Sequence, residues 1–422
     1  MINRTHKTAA RTALLAGGLA AALGVAACSS SASSSTSTSS SSSSAAPSGT
    51  SAAAPKGAPI KVGVIGSLSG AQASSSDQGA TVAPAWAAWI NANGGLNGHP
   101  VQVIVLDDKG DPATAQADGQ QFIADGVSAV IVSSDNLVSA FDSAVLARGI
   151  PLISGSANSS DWYTKAGMFP TATGIVNGVA AQVAVAAQYG HAKKFANLYC
   201  AEVAACAQVN PILQGAAKAA GVGYTQLSVS STAPSYTAQC LQLKQEGVDY
   251  AQLNFATAAA VRFVQNCQAQ GYNPTWGSSE QAVGTAFAAL PNLTVFGPAF
   301  SFPSVANASP VDQFRTVMQK YAAGSNWREG SASFTWDGLQ TLAQAVKAES
   351  VPAATAVTAA DVTAGLYSFK DQNLGGELAN GLTYTKGKPL GLTANACYFV
   401  VGMKSGQTTA PAELTPQCPA KA

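Results

Sequence analysis

From residue 60 onward, short apolar runs alternate with segments in which apolar positions recur at helical spacing. The short runs predict buried strands, at 60–65, 101–106, 128–132, 151–154, 195–199, 223–229, 249–253 and 293–299. The recurring segments predict helices, at 80–92, 112–125, 137–148, 175–189, 207–220, 236–246, 257–270, 310–322, 333–349 and 359–367. Repeated strand–helix units of this length predict an α/β fold with parallel sheets and right-handed crossovers.

The strand–helix units form two series, of which the first ends near Thr173 and the second runs from about 175 to 298. Residues 382–403 have a strand pattern interrupted by a turn at 386–388. Two similar halves, followed by C-terminal segments that return to them, predict two lobes joined by more than one crossover. We expect the first lobe to comprise 60–173 and 300–378, and the second to comprise 174–299 and 379–422.

The first 59 residues have the pattern of an export signal and a tether. A basic start precedes the apolar run Thr12–Ala27, which is short for a bilayer-spanning helix, and the run ends in small residues directly before Cys28. This junction resembles a bacterial lipobox, so residues 1–28 are expected to be a lipoprotein signal peptide with Cys28 as the lipidated residue. The alternative is an ordinary cleaved signal with an incidental cysteine. Residues 29–59 are rich in Ser and Ala and predict a disordered tether.

Composition narrows the classes of partner and cofactor. Charged residues make up 10% of the chain and the net charge is +1, so there is no basic field to attract nucleic acid. Of the seven cysteines, six remain after Cys28, and six cysteines in an exported protein predict disulfides, with 15 possible pairings. Metal binding is the alternative, but there is no CxxC motif, and His99 and His191 lack ligand spacing. Proximity in sequence favours the pairs Cys200–Cys206, Cys240–Cys267 and Cys397–Cys418.

The stretch Ile60–Gly70 combines a strand with a turn of small and hydroxyl residues that includes Ser69. In an open α/β sheet, ligands bind at the carboxyl ends of the strands, where main-chain NH groups and hydroxyls can hold a small polar molecule. An ordinary tight turn is the alternative. There is no GxxxxGK[ST] motif for nucleotide phosphates, and the turn 66–70 is not a nucleophile elbow, because it has Leu68 where that motif needs Ser.

Several stretches together resemble one family. They are NANGGLNG at 91–98, VQVIVLDDKGDP, GVSAVIV, GIPLISGSANSSDW, GYNPTWGSSEQAV and FTWDGLQTLAQAV. In order and spacing, across 60–403, they resemble type I periplasmic solute-binding proteins of ABC importers, in the leucine/isoleucine/valine-binding branch. The resemblance implies a two-lobe α/β fold with a hinge, a small-molecule solute as ligand and an ABC permease as partner. It implies binding without catalysis or cofactor, a lipid anchor on the extracytoplasmic face, and a monomer.

The resemblance also implies a ligand site. The first lobe would contact a ligand carboxylate through Ser69, Ser134, Asp135, Asn136, Ser156, Ala157 and Asn158. Glu280 would pair with a ligand ammonium, and the alternative is that it lies at a helix N-terminus and pairs with the helix dipole. The first-lobe residues could likewise be ordinary turn residues.

This chain departs from the branch where two tyrosines are expected, at Val203–Ala205 and at Phe255. Phe255, Tyr236 and Trp336 could each form an aromatic cavity wall or belong to the core. With Glu280 meeting an amine, the solute is expected to be an amino acid or an amide-like molecule. Two alternatives remain, a ligand sensor for an aromatic or carboxylate compound and a secreted serine hydrolase.

Overall fold

The computed structural model describes residues 54–278, 285–303, 306, 309–328 and 331–419. Within these ranges the strands are β1 Ile60–Gly66, β2 Val101–Asp107, β3 Ala129–Val132, β4 Leu152–Ser154, β5 Met168–Pro170, β6 Lys194–Cys200, β7 Gly223–Val229, β8 Tyr250–Asn254, β9 Thr275–Gly277, β10 Thr294–Ala299, β11 Phe399–Lys404 and β12 Gln407–Thr409. The helices are α1 Gly79–Ala92, α2 Pro112–Asp125, α3 Asp142–Leu146, α4 Asp161–Thr164, α5 Ile175–Gln188, α6 Ala204–Gln208, α7 Asn210–Ala219, α8 Thr237–Gln245, α9 Thr257–Ala269, α10 Thr285–Ala288, α11 Ser309–Tyr321, α12 Ala332–Glu349 and α13 Ala359–Tyr367.

The first lobe is built on a parallel five-stranded sheet in the order β2-β1-β3-β4-β5. Its central strand β1 is almost wholly buried, as its run of Val and Ile predicts for a strand covered on both faces. The late helix α12 packs on β3 and β4, and a Cβ at Gly338 would meet Ile131 Cγ2 at 2.9 Å. A chain segment far from β1 in sequence therefore completes the first lobe.

The second lobe is built on a seven-stranded sheet in the order β12-β11-β10-β9-β8-β6-β7. Its strands β6 to β10 pair in parallel, whereas β11 and β12 return antiparallel beside β10. Phe263 and Trp276 are completely buried beneath this sheet and meet edge to face. The predicted lobe boundaries at 173/174, 299/300 and 378/379 stay predictions.

Local signals explain several helix ends. The Asp111 side chain accepts from Thr114 N at 2.7 Å, and Pro112 occupies the first helical position of α2, where its missing N–H costs nothing. Thr358 and Asp361 cap each other's backbone at the start of α13. Among the described helices, none is long and apolar enough to cross a membrane.

Three sequence predictions differ from the structure. The predicted helix 137–148 is instead a 3-10 turn at Val138–Ala140 followed by the short helix α3, at whose start the buried Asp142 carboxylate pairs with the Lys165 ammonium. The predicted helix 207–220 divides into α6 and α7 next to Pro211, which lacks an N–H group. Within 382–403, strand geometry is confined to β11 and to isolated bridges at Leu382 and Tyr398, so the strand prediction there is mostly wrong.

The described cysteines form three disulfides, and they are the pairs that proximity favours. The Cα–Cα distances are 5.7 Å for Cys200–Cys206, 5.0 Å for Cys240–Cys267 and 4.1 Å for Cys397–Cys418. The first bridge closes the loop that follows β6, the second joins α8 to α9, and the third ties the C-terminal segment to the residues before β11.

Candidate functional site

A cavity of about 280 Å³ lies between the two lobes. Loops after β3 and β4 form one side of it, and loops after β6 and β8 form much of the other. This position follows from the fold, because parallel strands direct their carboxyl ends and the loops after them to one edge of each sheet. The cavity therefore lies where the fold presents backbone groups and short side chains to a small ligand.

Asp135 organises the first-lobe side. It lies just after β3 and is 5% exposed, and its Oδ2 accepts from Asn158 N at 2.6 Å and Ser159 N at 2.8 Å. Its Oδ1 accepts from Ser156 Oγ at 3.1 Å and from Asn158 Nδ2 at 3.3 Å. Burial raises the pKa of the Asp135 carboxyl, while these hydrogen bonds oppose the rise. The carboxylate thus locks the loop after β4 onto the loop after β3.

Five of the predicted ligand residues come together here. Ser134, Asp135, Asn136, Ser156 and Asn158 all line the cavity. Asn136 Nδ2 donates to Ser134 Oγ at 3.0 Å, so these two side chains form a unit at the rim. The side chains supply hydroxyls and amides, and Asp135 is the charged residue among the described residues that line the cavity.

Other predicted residues lie elsewhere. Ser69 is exposed and outside the cavity lining, with its N–H donating to Asp107 Oδ1 at 3.1 Å. Ala157 is buried beside a smaller neighbouring cavity of about 30 Å³. Glu280 falls outside the described residues.

The aromatic predictions divide between core and cavity. Trp336 is completely buried, stacks on Trp89 at 5.6 Å and donates to Glu377 Oε1 at 3.1 Å, so the structure places it in the core rather than in the cavity lining. Tyr236 is also in the core, with its hydroxyl donating to Ser230 O at 2.8 Å. Phe255 lines the cavity.

The second-lobe side is mostly apolar. Phe255 and Leu253 lie at the end of β8 and just beyond it, and both cysteines of the Cys200–Cys206 disulfide contribute to the same wall. The other apolar lining residues were not assigned to the site from the sequence; they are Ile175, Val179, Val203, Val209 and Phe300, with Val138 and Phe334 from the first lobe. Gln182, Asn254 and Thr257 are the polar lining residues described on this side.

Two serines from the first lobe cap a helix of the second. Helix α9 begins at Thr257, and its N-cap residue Ala256 has no side-chain oxygen. Thr257 N instead donates to Ser75 Oγ at 3.1 Å, and Ala258 N donates to Ser74 Oγ at 3.3 Å. Ser75 Oγ also lies 3.0 Å from Thr257 Oγ1. The lobes are thus joined beside the cavity by hydrogen bonds that an opening motion would break.

The adjacent carboxylates Asp107 and Asp108 hold a turn. Burial raises the pKa of Asp107, but hydrogen bonds from Ser69, Lys109 and Leu68 outweigh this and lower it. Burial raises the pKa of Asp108, whose Oδ1 accepts from Gly110 N at 2.8 Å. These contacts are those of a structural turn rather than of an acid–base pair. Across the described ranges, no group of three or more His, Cys, Asp or Glu side chains is placed to hold a metal ion.

Two α/β lobes with a cavity between the carboxyl ends of their strands define a two-lobed binding protein. A model of the periplasmic binding protein family matches residues 59–408, and the chain belongs to this family. Family membership implies an extracytoplasmic location, and it confirms the resemblance seen in the sequence.

Curated relatives match over a short stretch. The Leu/Ile/Val-binding protein of Escherichia coli K12 is 42% identical over 72 residues, which are 17% of this chain and 20% of the relative. The Leu/Ile/Val/Thr-binding protein of Salmonella typhimurium is 40% identical over a stretch of the same length and coverage. The matched stretch therefore spans about a fifth of the length of these relatives.

Solved structures match over most of the chain. A branched-chain amino-acid ABC transporter protein from Thermus thermophilus with bound valine has a TM-score of 0.70 at 14% identity, covering 86% of this chain and 98% of that one. A fatty acid ABC transporter substrate-binding protein from Thermomonospora curvata has a TM-score of 0.66 at 14% identity, covering 89% and 96%. At these identities the likeness establishes the fold, and the predicted two-lobe class is confirmed. The family and these neighbours are binding proteins rather than enzymes.

Proposed function

We propose that the protein is an extracytoplasmic solute-binding lipoprotein of an ABC importer. Its lobes would close by hinge motion on an amino acid or amide-like solute, and the closed form would deliver that solute to a membrane permease. The lipidated Cys28 and the tether 29–59 would keep a monomeric body near the membrane. The family match supports this proposal, as does the similarity to a Leu/Ile/Val-binding protein and to a branched-chain amino-acid ABC transporter protein with bound valine.

The observation that carries the proposal is the interlobe cavity with its polar first-lobe loops. In the proposed complex, Ser134, Asn136 and Asn158 offer hydroxyl and amide donors to a ligand carboxylate, and Asp135 holds their loops in place. Glu280 is proposed to meet the ligand ammonium, since a carboxylate in a closing cleft is favourable only when a cation pairs with it.

Isothermal titration against the twenty amino acids tests this proposal. At least one should bind, and Glu280→Gln should weaken that binding tenfold or more by removing a charge-assisted contact of roughly 1.5–3 kcal/mol. Glu349→Gln is the matched control, because Glu349 is exposed at the end of α12. Tight binding of a solute without an amine, unchanged in Glu280→Gln, would discard the amino-acid assignment.

A second candidate is a ligand-sensing protein for an aromatic or carboxylate compound that acts on a signalling partner. The apolar second-lobe wall favours such a ligand, and one structural neighbour is described as a fatty acid transporter protein. Hexanoate and benzoate in the same titrations separate the candidate ligands. The neighbouring genes separate the partners, because an importer should be encoded beside a permease and an ATPase, and a sensor beside a kinase.

A further inference from the structure

A chain of hydrogen-bonded amides runs inward from the second-lobe wall, with Gln182, Asn197 and Asn210 buried and Asn254 half-buried. Asn254 Nδ2 donates to Gln182 Oε1 at 2.9 Å and to Asn197 Oδ1 at 2.8 Å. Asn197 Nδ2 donates to Asn210 Oδ1 at 2.8 Å, and the Tyr224 hydroxyl donates to the same oxygen at 2.7 Å. The chain thus runs from the cavity lining, across β8 and β6, to α7 and β7.

A backbone carbonyl at one end fixes the direction of every amide. Asn210 Nδ2 donates to Ala207 O at 3.0 Å, and because a carbonyl can only accept, the nitrogen of this amide must face it. The Asn210 oxygen must then accept from the nitrogen of Asn197, and the Asn197 oxygen must accept from Asn254. Asn254 donates both of its side-chain N–H groups, one to Asn197 and one to Gln182. Amide orientation is thus decided by the network itself.

The fixed amide orientation extends to Gln182, which lines the cavity. Its side-chain oxygen is occupied by Asn254, so its nitrogen is left to face outward. The residue is 8% exposed and lines the cavity, and its Nε2 has no hydrogen-bond partner within the part of the chain that the structure describes. Val179 lies one helical turn before it on α5, and the wall around it is apolar. A ligand that fills the cavity removes water from this amide donor, and a donor left without a partner is then costly, so the site is completed when an acceptor of the ligand meets it.

We propose that Gln182 contacts the ligand and that its Nε2 donates to an acceptor oxygen of the solute. The solute then presents a carbonyl or carboxylate oxygen toward the second lobe, and the rest of that end is hydrocarbon that packs on the apolar wall. An ammonium or a methyl group at this position is disfavoured, because neither accepts a hydrogen bond. Asn197 and Asn210 act as positioning residues. This inference rests on the proposed solute-binding function and narrows its substrate class.

Paired probes that differ at one oxygen test the inference by isothermal titration. L-2-Amino-5-oxohexanoate is compared with L-norleucine, and 5-oxohexanoate with hexanoate, so that one pair carries an amine and the other does not. The wild type should bind the oxygen-bearing member of a pair roughly 5- to 100-fold more tightly, the range for a buried donor that gains or loses its partner. Gln182→Leu should lose most of this preference. Gln188→Leu, the same change at an exposed position of α5, should keep it.

Two further variants separate recognition from folding. Gln182→Glu can still accept from Asn254 but presents an acceptor to the cavity, so it should reject the oxygen-bearing probes while its melting temperature stays near that of the wild type. Asn197→Leu removes the group that orients Asn254 and should reduce the preference for oxygen even at temperatures where the variant is fully folded. A purely structural role would lower the melting temperature and leave the preference unchanged.

The outcomes distinguish this inference from the function on which it rests. Binding by the wild type with the same preference in Gln182→Leu contradicts the inference alone. If the wild type binds neither pair, the small molecules released on denaturation are quantified by mass spectrometry, and equal retention by Gln182→Leu is then the contradicting result. A wild type that binds no probe and releases no small molecule contradicts the solute-binding function, and the inference with it.

Discussion

The serine contact between the lobes makes closure measurable. Ser75 Oγ accepts the N–H group of Thr257, the first residue of α9, from the opposite lobe. Because the N-cap residue of this helix has no side-chain oxygen, Ser75→Ala should leave the Thr257 N–H group without its acceptor in the closed form, while Ser74 still accepts from Ala258 N. Opening would break the same contact in the wild type, so the substitution acts on the closed form alone.

The magnitude follows from the value of a helix cap. Losing a serine N-cap costs about 1 kcal/mol. If that cost falls on the closed form only, the ratio of closed to open protein falls about fivefold, and the apparent affinity falls by up to about fivefold. Ser74→Ala should have a smaller effect, since its contact with Ala258 N is longer, at 3.3 Å.

The assay is isothermal titration with the tightest ligand found in the panels, together with a thermal melt of the ligand-free protein. Ser235→Ala is the matched control, because Ser235 Oγ accepts from Thr237 N at 3.3 Å within the second lobe. The control should lower the melting temperature without lowering the affinity. The reasoning is refuted if Ser75→Ala behaves like this control.

The remaining predictions concern two buried acids. Burial raises the pKa of Glu377 to about 8 from an ordinary value of 4.5, so the folded state holds the proton more tightly than the unfolded chain does. Its contribution to stability is therefore fully present below about pH 4.5 and is lost as the pH rises to about 8. In denaturant titrations, the free energy of unfolding of the wild type should fall over this pH range, and that of Glu377→Gln should lack this fall. Asp135→Ala should lower the free energy of unfolding by about 3 kcal/mol, because Asn158 N and Ser159 N lose their acceptor, and urea titration would contradict the assigned role if the loss were below about 1 kcal/mol.

Long periodic segments were predictable and short ones were not. The helix over 112–125 and the strand over 223–229 have the bounds that the pattern predicts, because capping residues and long runs mark them. The three-residue strands β5 and β9 are too short to show alternation. They are strands because their neighbours in the sheet supply hydrogen-bond partners, and that information lies far away in the sequence.

In the site, too, local patterns were predictable and contacts between residues far apart in the sequence were not. The polar turns after β3 and β4 were predictable, because strand ends and short polar residues coincide there. The position of Gln182 in the apolar stretch IVNGVAAQVAVAAQ was a signal that could have been followed, since a polar side chain on a buried helix face needs a partner. The pairing of Ser75 with Thr257 spans 182 residues, and no local pattern predicts it.

The central claim is that a small solute occupies the cavity between the lobes. A crystal structure of the protein with the tightest ligand identified in the panels or among the released molecules tests it most directly. The account predicts electron density for one solute between Asn158 of the first lobe and Gln182 of the second, with Ser75 still bonded to Thr257. A saturated crystal with the solute bound elsewhere and an empty interlobe cavity would contradict the account.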